Sequence, residues 1–252
     1  MGQHWAFLDH PGPIAFAHRG GAADYPENTM AAFEHAVKLG YRYLETDVHV
    51  TADGVVVAFH DDVLDRVTDR SGRIAELPWA EVKRARVAGE HEVPLLEDVL
   101  GTWPEVRVNI DPKHDASVGP LVETLRRTAA LDRVCVGAFS DRRLARFRRL
   151  TGRQVCTAMG PRDIARLRVG TWSRVTGPFS AACVQVPIHY GRVSVVDRRF
   201  LASAQRRGLP VHVWTINDRG QMEGLLDLGV DGIMTDRPAV LKDVLERRGQ
   251  WA

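Results

Sequence analysis

Short apolar runs alternate with segments of helical periodicity along almost the whole chain. The strand-like runs are IAFAH at 14–18, YRYLETD at 41–47, VRVNID at 106–111, RVCVGAF at 133–139, QVCTAM at 154–159, AACVQVP at 181–187, PVHVWTI at 210–216 and DGIMTD at 231–236. Between them, amphipathic spacing predicts helices at 29–39, 95–102, 116–131, 141–151, 162–168, 197–207, 218–228 and 238–248. Gly40, Gly152, Gly208 and Gly229 close four of these segments, as left-handed helix ends require. Eight strands, each followed by a helix, predict an α/β fold, a (β/α)8 TIM barrel. A doubly wound open sheet fits less well, because eight similar units occur without a glycine-rich first turn.

One segment breaks the alternation. After the second strand come TADG, a further strand-like run VVVAFHD at 55–61, and a polar stretch with one short helix near 79–88. This predicts a hairpin and a small insertion over about 51–94 within a single TIM-barrel domain spanning 1–252. Insertions after barrel strands lie at the C-terminal face, where such enzymes keep their sites.

Composition changes this picture little. Hydrophobic residues make up 44% and charged residues 26% of the 252 positions, which excludes a mainly disordered chain. No apolar run is long enough for a transmembrane helix, and the first residues carry no basic region of a secretory signal. Cys135, Cys156 and Cys183 are widely spaced, in apolar runs and without C-x-x-C spacing. They read as reduced, buried thiols of a cytoplasmic protein.

Charge is distributed unevenly. The net charge is −10 over residues 1–125, +10 over 126–176 and +2 over 177–252. Every cation in the middle stretch is arginine, as in DRRLARFRRL at 141–150. An anionic partner is one reading. The other is a barrel helix with Leu144, Phe147 and Leu150 as its apolar stripe and arginine on its solvated face. The second is favoured, since neither aromatic interleaving nor a recognition-helix motif accompanies the arginines. Nucleic acid is not an expected partner and neither is stable membrane insertion; peripheral membrane contact is left open.

Reactive residues gather where the predicted strands end. The first ends in His18-Arg19-Gly20-Gly21, the second carries Glu45 and Asp47, and the extra hairpin ends in His60-Asp61. The third ends in Asp111 and Lys113, and the seventh in Trp214 and Asn217. Glu45 and Asp47 are two apart on a strand and therefore face the same way. With Asp111 on the neighbouring strand, three carboxylates share the barrel mouth. Their mutual repulsion favours a bound divalent cation, and all-oxygen ligation points to Mg2+ or Ca2+. Arg19 and Lys113 at the same rim suit a phosphate. His18 and His60 could give and take protons beside it. This set fits phosphoryl transfer or an enolisation.

The run AHRGGAADYPENTMAAFEHAVKLGYRYLETDVHVTADGVVVAFHDDVLDRVTDRSGRI, followed by NIDPK, GAFS, VWTIN and GVDGIMTDRP, resembles the glycerophosphodiester phosphodiesterase family from about residue 14 to 245. The resemblance implies a (β/α)8 barrel that hydrolyses glycerophosphodiesters to sn-glycerol 3-phosphate and an alcohol. By it, His18 and His60 are the acid–base pair, and Arg19 and Lys113 bind the substrate phosphate. Glu45, Asp47 and Asp111 are the metal ligands, and Trp214 lines the substrate pocket. Asp111 departs from the family's usual glutamate and is one methylene shorter. The family mechanism implies internal attack by a glycerol hydroxyl and a cyclic phosphate that water then opens. Two alternatives use the same barrel: a lysophospholipase D acting at membrane surfaces, and a non-catalytic phosphate- or lipid-binding protein.

Overall fold

The computed structural model of the chain describes residues 4–170 and 179–252. Eight helices of the barrel layer and their strands follow the predicted alternation. The order is β1 (Ile14–His18), α1 (Met30–Lys38), β2 (Tyr43–Val50), β3 (Val56–Ala58), α2 (Trp79–Val82), β4 (Arg86–Val87), β5 (His91–Glu92) and α3 (Leu96–Thr102). It continues with β6 (Arg107–Pro112), α4 (Val118–Arg127), β7 (Val134–Val136), α5 (Asp141–Leu150), β8 (Cys156–Thr157), α6 (Pro161–Val169) and β9 (Val184–Pro187). Last come β10 (His189–Tyr190), β11 (Val193–Ser194), α7 (Arg198–Gln205), β12 (Val211–Trp214), α8 (Arg219–Leu228), β13 (Gly232–Thr235) and α9 (Pro238–Arg247).

The parallel strands are ordered β8-β7-β6-β2-β1-β13-β12-β9, with β3 antiparallel on the end of β2. The two outer strands meet through a parallel bridge between Ala158 and Cys183. There Met159 N–H donates to Cys183 O at 2.9 Å and Ala182 N–H to Thr157 O at 2.8 Å. This seam curls the sheet into the (β/α)8 form.

Period-two alternation sorts the side chains. Ala15, Ala17, Leu44, Val184, Val186, Val211, Val213 and Ile233 point outward into the core shared with the helices. Val108, Ile110, Val134 and Val136 do the same against α3, α4 and α5. The alternate positions Phe16, Tyr43, Cys135, Cys156, Cys183 and Met234 fill the lower interior. The N-terminal segment plugs that end: Phe7 is buried, Tyr43 Oη donates to Phe7 O at 2.9 Å, and Arg107 donates to Asp9 O at 2.7 Å.

Gly40, Gly152, Gly208 and Gly229 all adopt positive φ, so the expected helix ends form. Two expectations need correction. The helix near 79–88 spans only Trp79–Val82, after which the chain turns into the β4–β5 ribbon and its apolar side chains join a separate cluster under the insertion. A second small ribbon, β10–β11, follows β9 with no sequence pattern to announce it. On α5 the buried stripe is Leu144 and Phe147, while Leu150 is 40% exposed.

The arginines of this region are structural as well as solvated. Arg143 pairs with Asp115 at 3.0 Å and donates to Pro112 O, and Arg148 donates to Thr157 Oγ1 and Ala158 O. Arg133 donates to the Leu100 and Val106 carbonyls. Residues 171–176, the end of the arginine-rich stretch, lie outside the described residues. No helix among the described residues is long and apolar enough to cross a membrane.

Candidate active site

The mouth is built by tight backbone turns after β1. Arg19, Gly20 and Gly21 have φ of 51°, 83° and 103°, three successive left-handed residues. A Cβ on Gly20 would lie 2.7 Å from Ala32 Cβ and 2.8 Å from Ala32 C, so this turn needs glycine to approach α1. Arg19 carries the strain of a non-glycine residue in that region, and its N–H is thereby aimed at Glu45 Oε2 at 3.1 Å. The PENT segment serves the same corner. Thr29 caps α1 by accepting from Ala32 N–H at 3.2 Å. Asn28, also left-handed at φ 55°, donates to Asp47 Oδ2 at 3.4 Å and accepts from Thr46 Oγ1 at 2.8 Å. Glu27 accepts from Arg19 at 3.1 Å and from Arg66 at 2.6 Å.

His18 ends β1. Its Nδ1 lies 2.6 Å from Asp236 Oδ1, and its Nε2 lies 3.8 Å from Glu45 Oε2. Asp236 is itself fixed by Asn217, whose Nδ2 donates to Oδ2 at 2.7 Å and whose Oδ1 accepts from the Asp236 N–H at 2.8 Å. Burial works against a charged His18 imidazole, yet Glu45 and Asp236 outweigh it and hold its pKa above the ordinary value. Across the mouth, His60 Nδ1 lies 2.5 Å from Asp61 Oδ1, and its carbonyl meets His49 Nε2 at 3.0 Å. Asp61 is drawn down to about 2 by its hydrogen bond from Arg66. Each histidine thus has its Nδ1 on a carboxylate, a pairing that fixes tautomer and ring orientation. A continuous line of ion pairs, Arg19–Glu27–Arg66–Asp61–His60, connects the two halves of the site.

The three carboxylates fall where period and register predict. Asp47 and Asp111 are direct neighbours on β2 and β6, and Glu45 is two residues below Asp47 on the same face. Lys113 Nζ stands between Asp47 Oδ1 at 2.6 Å and Asp111 Oδ2 at 2.8 Å, while Arg19 Nε lies 3.1 Å from Asp47 Oδ2. Burial alone would raise Asp47, but Lys113 and Arg19 hold it below the usual carboxylate range. Burial pushes Asp111 up, only partly offset by Lys113. Glu45 is pushed up to about 7, first by burial and then by Asp47. The carboxylates are neighbours without meeting at one point, because Lys113 holds two of them apart.

Their donor chemistry fits a hard divalent ion all the same. Asp111 Oδ1 is buried without a hydrogen-bond partner, and Glu45 is buried beside Asp47 with too little positive charge near it to hold it fully ionised at neutral pH. Trp214 ends β12 half-buried, with Phe139 edge-on at 5.5 Å between ring centroids. Phe139 is 64% exposed and flanks the rim.

The pattern of the glycerophosphoryl diester phosphodiesterase family matches residues 18–240, and so takes in both histidines, all three carboxylates and both cations. The chain belongs to this family. It is 40% identical to the "Probable glycerophosphodiester phosphodiesterase 2" of Mycobacterium tuberculosis, over 97% of this chain and 95% of that protein. Among solved structures, one named for the same activity from Silicibacter pomeroyi superposes with a TM-score of 0.83 at 22% identity, covering 99% of this chain and 100% of that one. An Oleispira antarctica phosphodiesterase in complex with the product sn-glycerol-3-phosphate gives a TM-score of 0.78 at 23% identity, over 93% and 97% of the two chains. These two likenesses concern the fold, a (β/α)8 barrel. The family assignment makes the chain a phosphodiesterase.

Sequence reasoning gave no role to Asp236, Glu27, Asn28, Asp61 or Arg66. Asp236 lies in GVDGIMTDRP and Glu27 and Asn28 in PENT, so both signals were visible as motifs. Their contacts span up to 218 residues of chain, which no local pattern encodes.

Proposed function

We propose that this phosphodiesterase hydrolyses glycerophosphodiesters to sn-glycerol 3-phosphate and an alcohol by two-histidine acid–base catalysis. The observation that carries the reading is the pair of histidine–carboxylate units, His18–Asp236 and His60–Asp61, at one mouth that also holds Arg19 and Lys113. A divalent cation, Mg2+ or Ca2+, would be held by Glu45, Asp47 and Asp111. When bound, it would offset negative charge developing on the phosphate oxygens. Arg19 and Lys113 would share that task, and both already lie beside the carboxylates.

The raised pKa of His18 sets an order of events. His18, flanked by Asp236 and Glu45, favours its protonated form and protonates the departing alcohol. His60 takes the proton from a glycerol hydroxyl, whose oxygen attacks phosphorus as the bond to the alcohol oxygen breaks. A cyclic phosphate results. Water then opens it with the roles exchanged: His18 takes the water proton, and His60 returns one to the glycerol oxygen. Trp214 and Phe139 offer an apolar wall for the glycerol or the departing group. Three unlinked, buried thiols suit a reducing compartment, and we place the activity in the cytoplasm.

The test is a panel of glycerophosphocholine, glycerophosphoethanolamine, glycerophosphoglycerol and glycerophosphoinositol beside lysophospholipids, with and without chelator. Glycerol 3-phosphate should appear from the water-soluble diesters and cease on chelation. Preferential turnover of lysophospholipids would instead make this a lysophospholipase D, and no turnover of either would leave a binding protein.

A further inference from the structure

Below the mouth, the barrel interior carries chemistry that the phosphodiester reaction does not use. Cys135 on β7, Cys156 on β8 and Cys183 just before β9 sit side by side around the closing seam, and their Sγ atoms all lie within 4.8 Å of one another. Cys135 and Cys183 are 3.8 Å apart, far beyond a disulfide bond, and all three are buried and unlinked. An ion with sulfur ligands at about 2.3 Å spaces them roughly 3.8–4.0 Å apart in tetrahedral or trigonal geometry. The cluster is therefore close to a metal-binding spacing without rearrangement of the backbone.

A second observation comes from β12. His212 is fully buried, and neither of its ring nitrogens has a hydrogen-bond partner. An apolar interior gives no reason to bury such a ring unsatisfied. It packs against Phe16 at 5.0 Å between ring centroids and stands beside Cys183. Arg148, anchored on Thr157 Oγ1 and Ala158 O, is within electrostatic reach of Cys135 and Cys183 and would offset thiolate charge. A cleft lined by Trp5, Leu8, Arg148, Thr157 and Ala182 opens at this end of the barrel and offers a route in.

We propose that the lower barrel binds one thiophilic d10 metal ion, Zn2+ foremost, through Cys135, Cys156 and Cys183, with His212 as an outer partner beside Cys183. Three soft sulfurs at this spacing select a thiophilic ion and are chemically distinct from the oxygen donors at the mouth. Binding forms three metal–sulfur bonds and releases the thiol protons to solvent. The ion would tie together the weakest part of the barrel, where β8 is two residues long and meets β9 through a single bridge.

The test uses the full chain, reduced and stripped of metal, titrated with Zn2+ and with Cd2+. Cd2+ should raise a sulfur-to-metal absorption that saturates at one equivalent, and Zn2+ should compete it away with release of protons. Cd2+ on the mouth carboxylates produces no such band. Cys183→Ser should weaken binding by more than the roughly 10–100-fold typical of losing an outer partner. His212→Phe should keep the sulfur band and weaken binding by no more than the roughly 10–100-fold of losing an outer partner. The wild-type titration decides the matter if either variant fails to fold. Absence of the band at several equivalents, or a two-proton mass deficit revealing a disulfide in freshly isolated protein, would overturn the proposal.

Discussion

Replacing Asp236 by asparagine isolates the function of one oxygen. Asp236 Oδ1 lies 2.6 Å from His18 Nδ1, and Asn217 holds the other carboxylate oxygen at 2.7 Å, so asparagine can keep the shape of the corner. Both side chains are largely buried, at 16% exposure for His18 and 23% for Asp236, so solvent screens the pair only in part. A hydrogen bond to a charged group contributes about 1.5–3 kcal/mol, against about 0.5–1.5 for a neutral one. Forfeiting the charged form in the transition state should therefore slow kcat by up to roughly 10–100-fold. A second effect is independent of that magnitude. Asp236 raises the His18 pKa, so its loss lowers it. With His18 as the acid, activity falls as pH rises through this pKa, and the alkaline limb of the Asp236→Asn profile should move to lower pH. Steady-state release of glycerol 3-phosphate from glycerophosphocholine across pH measures both. An unmoved alkaline limb with kcat within about twofold of wild type would show that Asp236 neither tunes nor orients His18.

Other substitutions test the surrounding frame. Gly20→Ala places a Cβ against the Ala32 backbone in a left-handed turn; kcat should drop with a loss of at least about 1 kcal/mol in stability, read by denaturant melts, and a fully active, equally stable variant would show the turn to be dispensable. Chelation should abolish turnover and Mg2+ or Ca2+ restore it, with Asp111→Glu shifting the metal titration; an unchanged titration would remove Asp111 from the ligand set.

Much of the barrel was legible because its two periods are strong. Strands with Val, Ile and Ala at alternate outward positions and helices closed by Gly40, Gly152, Gly208 and Gly229 left little freedom in the main frame. The mouth was partly legible for the same reason: strand ends converge in such a fold, so His18, Glu45, Asp47, Asp111 and Lys113 had to become neighbours. The insertion was less so. Its helix near 79–88 stops at Val82 because the chain turns to form a ribbon that buries Val87 against Val57 and Leu64, a tertiary preference that helical propensity cannot reveal. The pairings around the histidines and carboxylates were hidden for a different reason. Asp236 reaches His18 only because β13 lies beside β1, and Lys113 separates Asp47 from Asp111 only because β6 lies in register with β2.

The central claim is that two histidines share one transition state. Single-turnover rates on glycerophosphocholine for wild type, His18→Ala, His60→Ala and the double variant test it most directly. A general acid or base contributes about 10²–10⁴-fold, so each single change should lower the rate by that order. The double variant should fall little further, since both groups serve the same step. With a p-nitrophenyl diester, whose alcohol departs without a proton, His18→Ala should lose less than His60→Ala. Near-normal rates in either single variant on the natural diester, with the fold intact, would contradict the mechanism.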